Sequence, residues 1–309
     1  RGIELVNAIQ WLVLPPLVLS VYAAARALEL NRTWATIGAM VPLSVPVILY
    51  QTTMTYVDLW SLAWFSIGFC AVLGAARQGS VSPVRVLWMF TAAGLALAAK
   101  YNAVVPLLVM GVTALFLWGW RVFFTATLKN LGITIAGIFI AASIGLPWLV
   151  NNWVKFGSPI YPYSVEIGPV QIAEGPFPFE SIRLMPEAPP FDKMPLVEKA
   201  YLSWTAIDFE SWKKAGPFGI WMHELSKLEL HSTDYGYRGD NKLGGLGSAW
   251  LCLFFPSMLL MLGLAWSRRI FPDVRSGYLF ALAFAPLCAF YLIVASWWPR
   301  FALFLPIFG

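Results

Sequence analysis

The chain has 309 residues, of which 59% are hydrophobic and only 12% are charged. This balance excludes an ordinary soluble domain and is typical of a helical protein that has the lipid bilayer as its solvent. The net charge of +5 comes from loops that set membrane orientation, so it predicts no nucleic-acid partner.

Eight uncharged runs are predicted to cross the membrane, because most of them reach the roughly 18 to 25 residues that span about 30 Å of hydrocarbon. In chain order they are residues 5–25, 33–57, 59–76, 86–99, 101–120, 131–154, 243–267 and 276–299. Three cysteines, Cys70, Cys252 and Cys288, lie inside such runs. They are predicted to be small core residues and not a disulfide or metal site.

Lysines and arginines are concentrated in alternate loops, as the positive-inside rule requires of a membrane protein. The basic loops carry Arg26 and Arg32, then Arg77 and Arg85, then Arg121 and Lys129, then Arg268, Arg269 and Arg275. The remaining connections, including the break at Lys100 and the long segment 155–242, are therefore predicted to face outward. A single helix over 86–120 would destroy this alternation, so a break at Lys100 is predicted.

Three parts are predicted along the chain. Residues 1–154 form about six N-terminal transmembrane helices, residues 155–242 an external module, and residues 243–309 the C-terminal transmembrane helices. The external module holds nine of the 21 basic and twelve of the 16 acidic residues. Its start, 157–192, is predicted to be an irregular, proline-rich ordered loop. Short amphipathic helices are expected after it, as in 196–214, which either cap the bundle or guide a lipid substrate. The last run, 301–309, reads as half of a further helix, so the sequence is expected to be truncated.

Few ionisable groups lie at membrane depth, and each is a candidate functional residue because charge is costly there. Asp58 begins a helix, Lys100 separates two helices, and Arg300 begins the last run. The predicted topology brings all three to the outer face, where they are expected to converge on one cavity. Simpler roles remain open, since Asp58 also suits a helix N-terminus, and Lys100 and Arg300 also suit contact with lipid phosphates.

Five features carry a resemblance to a known family. They are Tyr56-Val-Asp58-Leu-Trp60, Lys100-Tyr101, the run PWLVNNWVKFGSPIYP from Pro147 to Pro162, Leu243-Gly-Gly-Leu-Gly247, and Arg300-Phe-Ala-Leu-Phe-Leu-Pro306. In this order the chain resembles the C-type (GT-C) glycosyltransferases that use polyprenyl-phosphate sugars. This group contains protein mannosyltransferases and the aminoarabinose transferases of lipid A. The run from Pro147 is the most specific of the five.

The resemblance implies an all-α, polytopic transmembrane helix bundle in a bacterial inner membrane, with its long loop on the periplasmic side. It implies transfer of a sugar from a polyprenyl-phosphate carrier to an acceptor. By similarity, Asp58 would act on the acceptor or on a metal, Lys100 and Arg300 would bind the phosphate, and Tyr161 would line the cavity. No cofactor is firmly implied, although a divalent metal is compatible. The implied partners are the lipid-linked sugar, membrane lipids and further membrane subunits.

One departure from the family leaves two alternatives open. The family's main catalytic acid follows an N-terminal membrane helix, and neither has a match here. The chain is therefore expected to be a piece of a longer enzyme, or a catalytically inert structural or lipid-binding subunit. A transporter or flippase is disfavoured, because no inverted repeat is visible and the charges lie at helix ends instead of at the bilayer midplane.

Overall fold

The computed structural model describes residues 9–178 except 53–56, 79–80, 101–102 and 168, together with residues 195, 256–257 and 259–260. Helices account for 78% of these residues, in agreement with the predicted helical class. They are α1 Leu14–Ala27, α2 Arg32–Met40, α3 Pro46–Gln51, α4 Asp58–Gln78, α5 Pro83–Ala99, α6 Val104–Lys129, α7 Leu131–Gly145 and α8 Pro147–Phe156. A 3-10 turn, Val41–Ser44, joins α2 to α3.

Two helices are long and apolar enough to cross a membrane: Ile9–Ala27, which contains α1, and α4. α7 and α8 pass the same test as a pair bent by 51°, which raises the total in the described residues to three. The 21 residues of α4 rise about 31 Å, close to the roughly 30 Å of a hydrocarbon core. On α7 the rings and branched chains of Phe139 and Ile138 are more than half exposed, as lipid contact allows. The structure thus supports membrane association.

Prolines interrupt two of the runs that are predicted to cross the membrane as helices. The first part of the run 33–57, as far as Gln51, forms α2, the 3-10 turn and α3, because Pro42 and Pro46 cannot donate backbone hydrogen bonds inside a helix. Residues 131–154 bend at Pro147 for the same reason. The expected loop at 121–129 is instead the last part of α6, since it contains neither glycine nor proline. The predicted break at Lys100 is confirmed.

A small sheet replaces part of the predicted irregular loop after α8. Its strands are β1 Tyr163–Ile167, β2 Val170–Ala173 and β3 Phe177–Pro178, in the order β2-β1-β3. β1 pairs antiparallel with β2 and parallel with β3. Valine and isoleucine at alternate positions of β1 and β2 favour this extended pairing. The all-α prediction was therefore too narrow here, and the predicted helix over 196–214 lies outside the described residues.

α4 is the centre of the described part, since twelve of its 21 residues are buried. It runs parallel to α1, because Ser20 Oγ lies 2.6 Å from Ser66 Oγ and Arg77 Nη1 donates to the Arg26 carbonyl at 2.5 Å. A Cβ added to Gly68 of α4 would lie 3.4 Å from Ala92 Cβ of α5 and 2.9 Å from Met110 Sδ of α6. Because Gly68 has no side chain, α4, α5 and α6 can pack closely together at this position.

α5 and α7 pack through small residues and run parallel. A Cβ on Gly94 of α5 would lie 2.6 Å from Ala141 Cα, and one on Gly137 of α7 would lie 2.7 Å from the Phe90 ring. Gly137, Ala141 and Gly145 recur at every fourth position, the spacing that lets membrane helices approach closely. The C-terminal ends of α5 and α7 therefore lie side by side.

Replacing Gly94 by alanine is expected to destabilise the protein by about 1–3 kcal/mol, because α5 and α7 would have to separate to admit the methyl group. Gly111 is the matched control, since a Cβ there meets nothing within 4 Å. Its alanine variant is expected to be neutral or more stable by up to about 1 kcal/mol. Unfolding by denaturant titration in detergent compares the two, and equal effects would contradict this packing.

Candidate functional site

Asp58 and Lys100 form an ion pair at one end of the helices. Asp58 is the first residue of α4, and its side chain is 7% exposed; Lys100 directly follows α5, and its side chain is 16% exposed. The Lys100 backbone is extended, with φ −159° and ψ 131°. Its N–H donates to the Ala96 carbonyl, and its own carbonyl accepts from Ala103. Lys100 thereby ends α5 and leads into α6.

Helix dipoles explain why Asp58 lies at the start of α4 and Lys100 at the end of α5. A helix N-terminus stabilises a carboxylate, and a helix C-terminus stabilises a cation. α4 and α5 are antiparallel, so the N-terminus of α4 lies beside the C-terminus of α5. Asp58 is in the first turn of α4, and Lys100 is the C-terminal cap of α5. Each charge is therefore balanced by its partner and by its own helix, which offsets the cost of burial.

The arginines of the same helices lie at the opposite end. α4 has Asp58 in its first turn and Arg77 in its last turn, about 28 Å apart along the helix axis. Arg26 in the last turn of α1 meets Arg77 there. Arg85 at the start of α5 lies beside Gly74, near the end of α4. The described spans are thus polarised, with the Asp58–Lys100 pair at one boundary and three arginines at the other.

α8 and the turn after it begin from the Lys100 end, because α7 is parallel to α5 and ends beside it. Gly157, with φ +72°, stops α8 in a conformation that favours glycine. The buried Asn152 amide donates to the carbonyls of Pro159 (3.4 Å) and Tyr161 (3.3 Å). The Tyr161 ring stacks on Phe156, with centroids 4.0 Å apart. Asn152 and Phe156 therefore hold the turn against α8.

The structure brings together two of the four predicted site residues. Asp58 and Lys100 are in direct contact. Tyr161 is half-buried, and its described side-chain contact is with Phe156 instead of with the ion pair. Arg300 lies outside the described residues. The convergence of Asp58 and Lys100 is thus observed, while a contribution from Arg300 stays a prediction.

Buried amides are the polar groups that sequence reasoning missed. The Gln51 side chain is fully buried, and within the described part of the chain neither its oxygen nor its nitrogen has a hydrogen-bond partner. Gln10 Oε1 is also buried and has no hydrogen-bond partner among the described residues. Gln51 ends α3 seven residues before Asp58, and Gln10 precedes α1, which is parallel to α4. In the sequence, Asn152 is distinguished only as a member of the run from Pro147 to Pro162. An uncharged amide inside an apolar run was the available signal, because burying one without a partner is costly.

The family resemblance allows a divalent metal, but the described residues supply too few ligands to bind one. Asp58 supplies one carboxylate, and it is already bonded to an ammonium group. Among the residues that the structure describes, no group of three or more His, Cys, Asp or Glu side chains could hold a metal ion. The described residues thus do not fit a metal centre, and the chemistry proposed below uses no metal.

Replacing Lys100 by methionine alone is expected to destabilise the protein by about 3–5 kcal/mol, because the buried Asp58 carboxylate loses its counter-charge. Combining Asp58→Asn with Lys100→Met removes both charges at similar volume and is expected to recover most of that loss. Unfolding free energies of both single variants and the double variant give the coupling energy. A coupling near zero would mean that the pair contributes no interaction.

Replacing Asn152 by alanine is expected to speed backbone hydrogen exchange in residues 158–163 by roughly an order of magnitude, because two hydrogen bonds of about 1 kcal/mol each are lost. Asn151 is the matched control, since it is exposed and next in sequence. Exchange measured by mass spectrometry on peptides covering the turn compares the two alanine variants. The same exchange in both would show that Asn152 does not hold the turn.

No family model, curated protein or solved structure matches this chain. The resemblance to the C-type glycosyltransferases therefore rests on the quoted motifs.

Proposed function

We propose that this chain is a polytopic membrane glycosyltransferase of the C-type kind, which moves a sugar from a polyprenyl-phosphate carrier to an acceptor. The observation that carries the proposal is the buried Asp58–Lys100 pair at one end of a membrane-length helix. Ionisable groups in membrane helices are rare, and each is a candidate functional residue by default. A carboxylate and an ammonium in contact also supply the base and the phosphate-binding cation that this reaction needs.

Orientation follows in this proposal from the arginines. Arg26, Arg77 and Arg85 mark the cytoplasmic end, because basic loops stay inside. The Asp58–Lys100 pair then faces outward, at the periplasmic side of a bacterial inner membrane. α8 starts from the same end as Lys100, so the segment that follows it, 155–242, lies on the outer side as well. Donor lipid, acceptor and the long hydrophilic segment would thus share one face of the membrane.

The chemistry of transfer assigns a role to each charge. An acceptor hydroxyl or amine attacks the anomeric carbon of the sugar, and a bond forms from its oxygen or nitrogen to that carbon. The bond from the carbon to the phosphate oxygen breaks, and polyprenyl phosphate leaves. Asp58 takes the proton that the acceptor gives up, and Lys100 stabilises the negative charge of the departing phosphate. Proton, sugar and electron pair are thereby all accounted for.

The contact between Asp58 and Lys100 defines the resting state in this scheme. With no substrate bound, each charge neutralises the other in a site of low polarity. A lipid phosphate that approaches Lys100 competes with Asp58 for the ammonium group. Asp58 is then released as a base only when the donor has arrived. The exchange couples donor binding to activation of the acceptor.

The neutral polar groups at the same end suit sugar recognition. Gln51 and Gln10 carry buried amide atoms that have no hydrogen-bond partner in the described residues. Hydroxyl groups of a sugar would satisfy such amides and remove the cost of their burial. The stacked rings of Phe156 and Tyr161 offer an apolar surface on the turn after α8. We assign Tyr161 to the cavity wall on this basis.

A catalytically inert structural or lipid-binding subunit is the second candidate. The observation that favours it is that Asp58 and Lys100 satisfy each other, as a purely structural tie between α4 and α5 would. The two functions differ in what happens when both charges are removed together. A structural tie is dispensable once neither charge is left unpaired, whereas a catalytic pair is not.

The test measures release of polyprenyl phosphate from a radiolabelled polyprenyl-phosphate sugar by the protein in native membranes. The variant Asp58→Asn/Lys100→Met is expected to be folded and to lose at least about a hundredfold in turnover, the usual contribution of a positioned base. Ser61→Ala, one turn from Asp58, is the control and should keep turnover. Wild-type turnover in the double variant would remove the catalytic assignment and favour the inert subunit.

A further inference from the structure

The described part of the chain contains a cleft of about 950 Å³ at the arginine end, opposite the Asp58–Lys100 pair. It lies between α1, α4 and α5. Arg26, Arg77 and Arg85 line it, together with the aromatic rings of Trp64 and Trp88. The volume falls in the range of ordinary ligand sites. Nothing in the transfer chemistry above uses this cleft.

The charges of the cleft point to an anionic ligand. Arg26 Nη1 donates to the Leu30 carbonyl and Arg77 Nη1 to the Arg26 carbonyl, each at 2.5 Å. Arg85 Nη1 is buried and has no hydrogen-bond partner within the described residues. Among the described residues that line the cleft, none is acidic. Three arginines therefore line one cleft whose described lining has no carboxylate, a combination that suits the oxygens of a phosphate group.

The shape of the cleft points to a lipid and not to a free anion. Its α4 wall runs from Arg77 through Gly74, Ala71 and Ile67 to Trp64, every third or fourth residue along one face of the helix. The 13 steps from Trp64 to Arg77 cover about 20 Å at 1.5 Å per residue. Because α4 is long and apolar enough to cross a membrane, the arginines at its end would lie at the membrane boundary, and the apolar wall would lead from them into the bilayer. A headgroup with an attached acyl chain fits this length, whereas inorganic phosphate would use only the arginine end.

We infer that this cleft binds an anionic phospholipid, with its phosphate among Arg26, Arg77 and Arg85 and an acyl chain along the α4 wall. Basic pockets between membrane helices are known to take such headgroups. Arg77 lies about 28 Å from Asp58 along α4, so the proposed headgroup position is at the opposite end of the helix from the proposed transfer site. A bound lipid would add a contact among α1, α4 and α5 at this end, where Arg77 already donates to the Arg26 carbonyl.

The experiment uses the full chain purified in a neutral detergent, with dioleoylphosphatidylglycerol as the anionic probe and dioleoylphosphatidylcholine as the neutral one. Native mass spectrometry counts bound lipid, and a titration gives the affinity. Wild-type protein is expected to retain phosphatidylglycerol in preference to phosphatidylcholine. Arg85→Gln and Arg77→Gln are each expected to weaken the binding of phosphatidylglycerol by about five- to tenfold, because each variant removes one cation from the headgroup site.

Two further variants separate the cleft from general effects of charge. Arg32→Gln removes an exposed arginine in α2 that does not line the cleft, and it should bind the lipid as wild type does. Ala71→Phe leaves every charge in place but fills the apolar wall, so it should weaken binding about as much as Arg85→Gln. This variant keeps the test valid if an arginine variant fails to fold.

Three outcomes would overturn the inference. One is equal binding of both lipids by the wild-type protein. Another is the same loss in Arg32→Gln as in Arg85→Gln, because a general charge effect would then suffice. The third is full displacement of the lipid by millimolar inorganic phosphate, which would make the cleft a site for soluble anions. None of these results bears on sugar transfer, so the proposed function stands or falls separately.

Discussion

A carboxylate at the start of α4 and an ammonium group at the end of α5 hold the described helices in register. This contact is decisive because both side chains are largely buried, and a buried charge without a partner costs several kcal/mol. Sliding α4 against α5 by one turn would separate Asp58 from Lys100 by about 5 Å and leave both uncompensated. The helix dipoles favour the same arrangement. Charge, helix direction and packing thus agree on a single alignment.

The cost of burying charge also confines the charged groups of α4 to the two ends of the helix. Charged groups are tolerated at the ends of a membrane-length helix, and α4 places an acid at one end and an arginine at the other. The pair end combines Asp58 and Lys100 with the turn held by Asn152. The arginine end combines Arg77 with a cleft that is open to an anionic headgroup. Two different kinds of chemistry are therefore assigned to the two boundaries, and the apolar middle of α4 separates them.

Sequence reasoning succeeded where the cost of charge dominates. The break at Lys100 and its proximity to Asp58 follow from the alternation of basic loops, because each misplaced charge is expensive. Prediction from the sequence failed for features that depend on contacts between residues close in space. The direction of the bend at Pro147, the approach of α7 to Gly94, and the hydrogen bonds of Asn152 depend on partners distant in sequence or on geometry that hydropathy does not encode. The strands after α8 were missed because their alternation is short and lies in a proline-rich region.

Labelling from one side of the membrane tests the central claim, that the Asp58–Lys100 pair and the arginines lie on opposite faces with the pair outward. Val57 (45% exposed) and Leu30 (41% exposed) mark the two ends, and each is replaced by cysteine after Cys70, Cys252 and Cys288 are changed to alanine. A membrane-impermeant maleimide added to intact cells or spheroplasts should label Val57→Cys and leave Leu30→Cys unlabelled until the membrane is opened. Labelling of Leu30→Cys alone, or of both from outside, would contradict the orientation on which the proposed function depends.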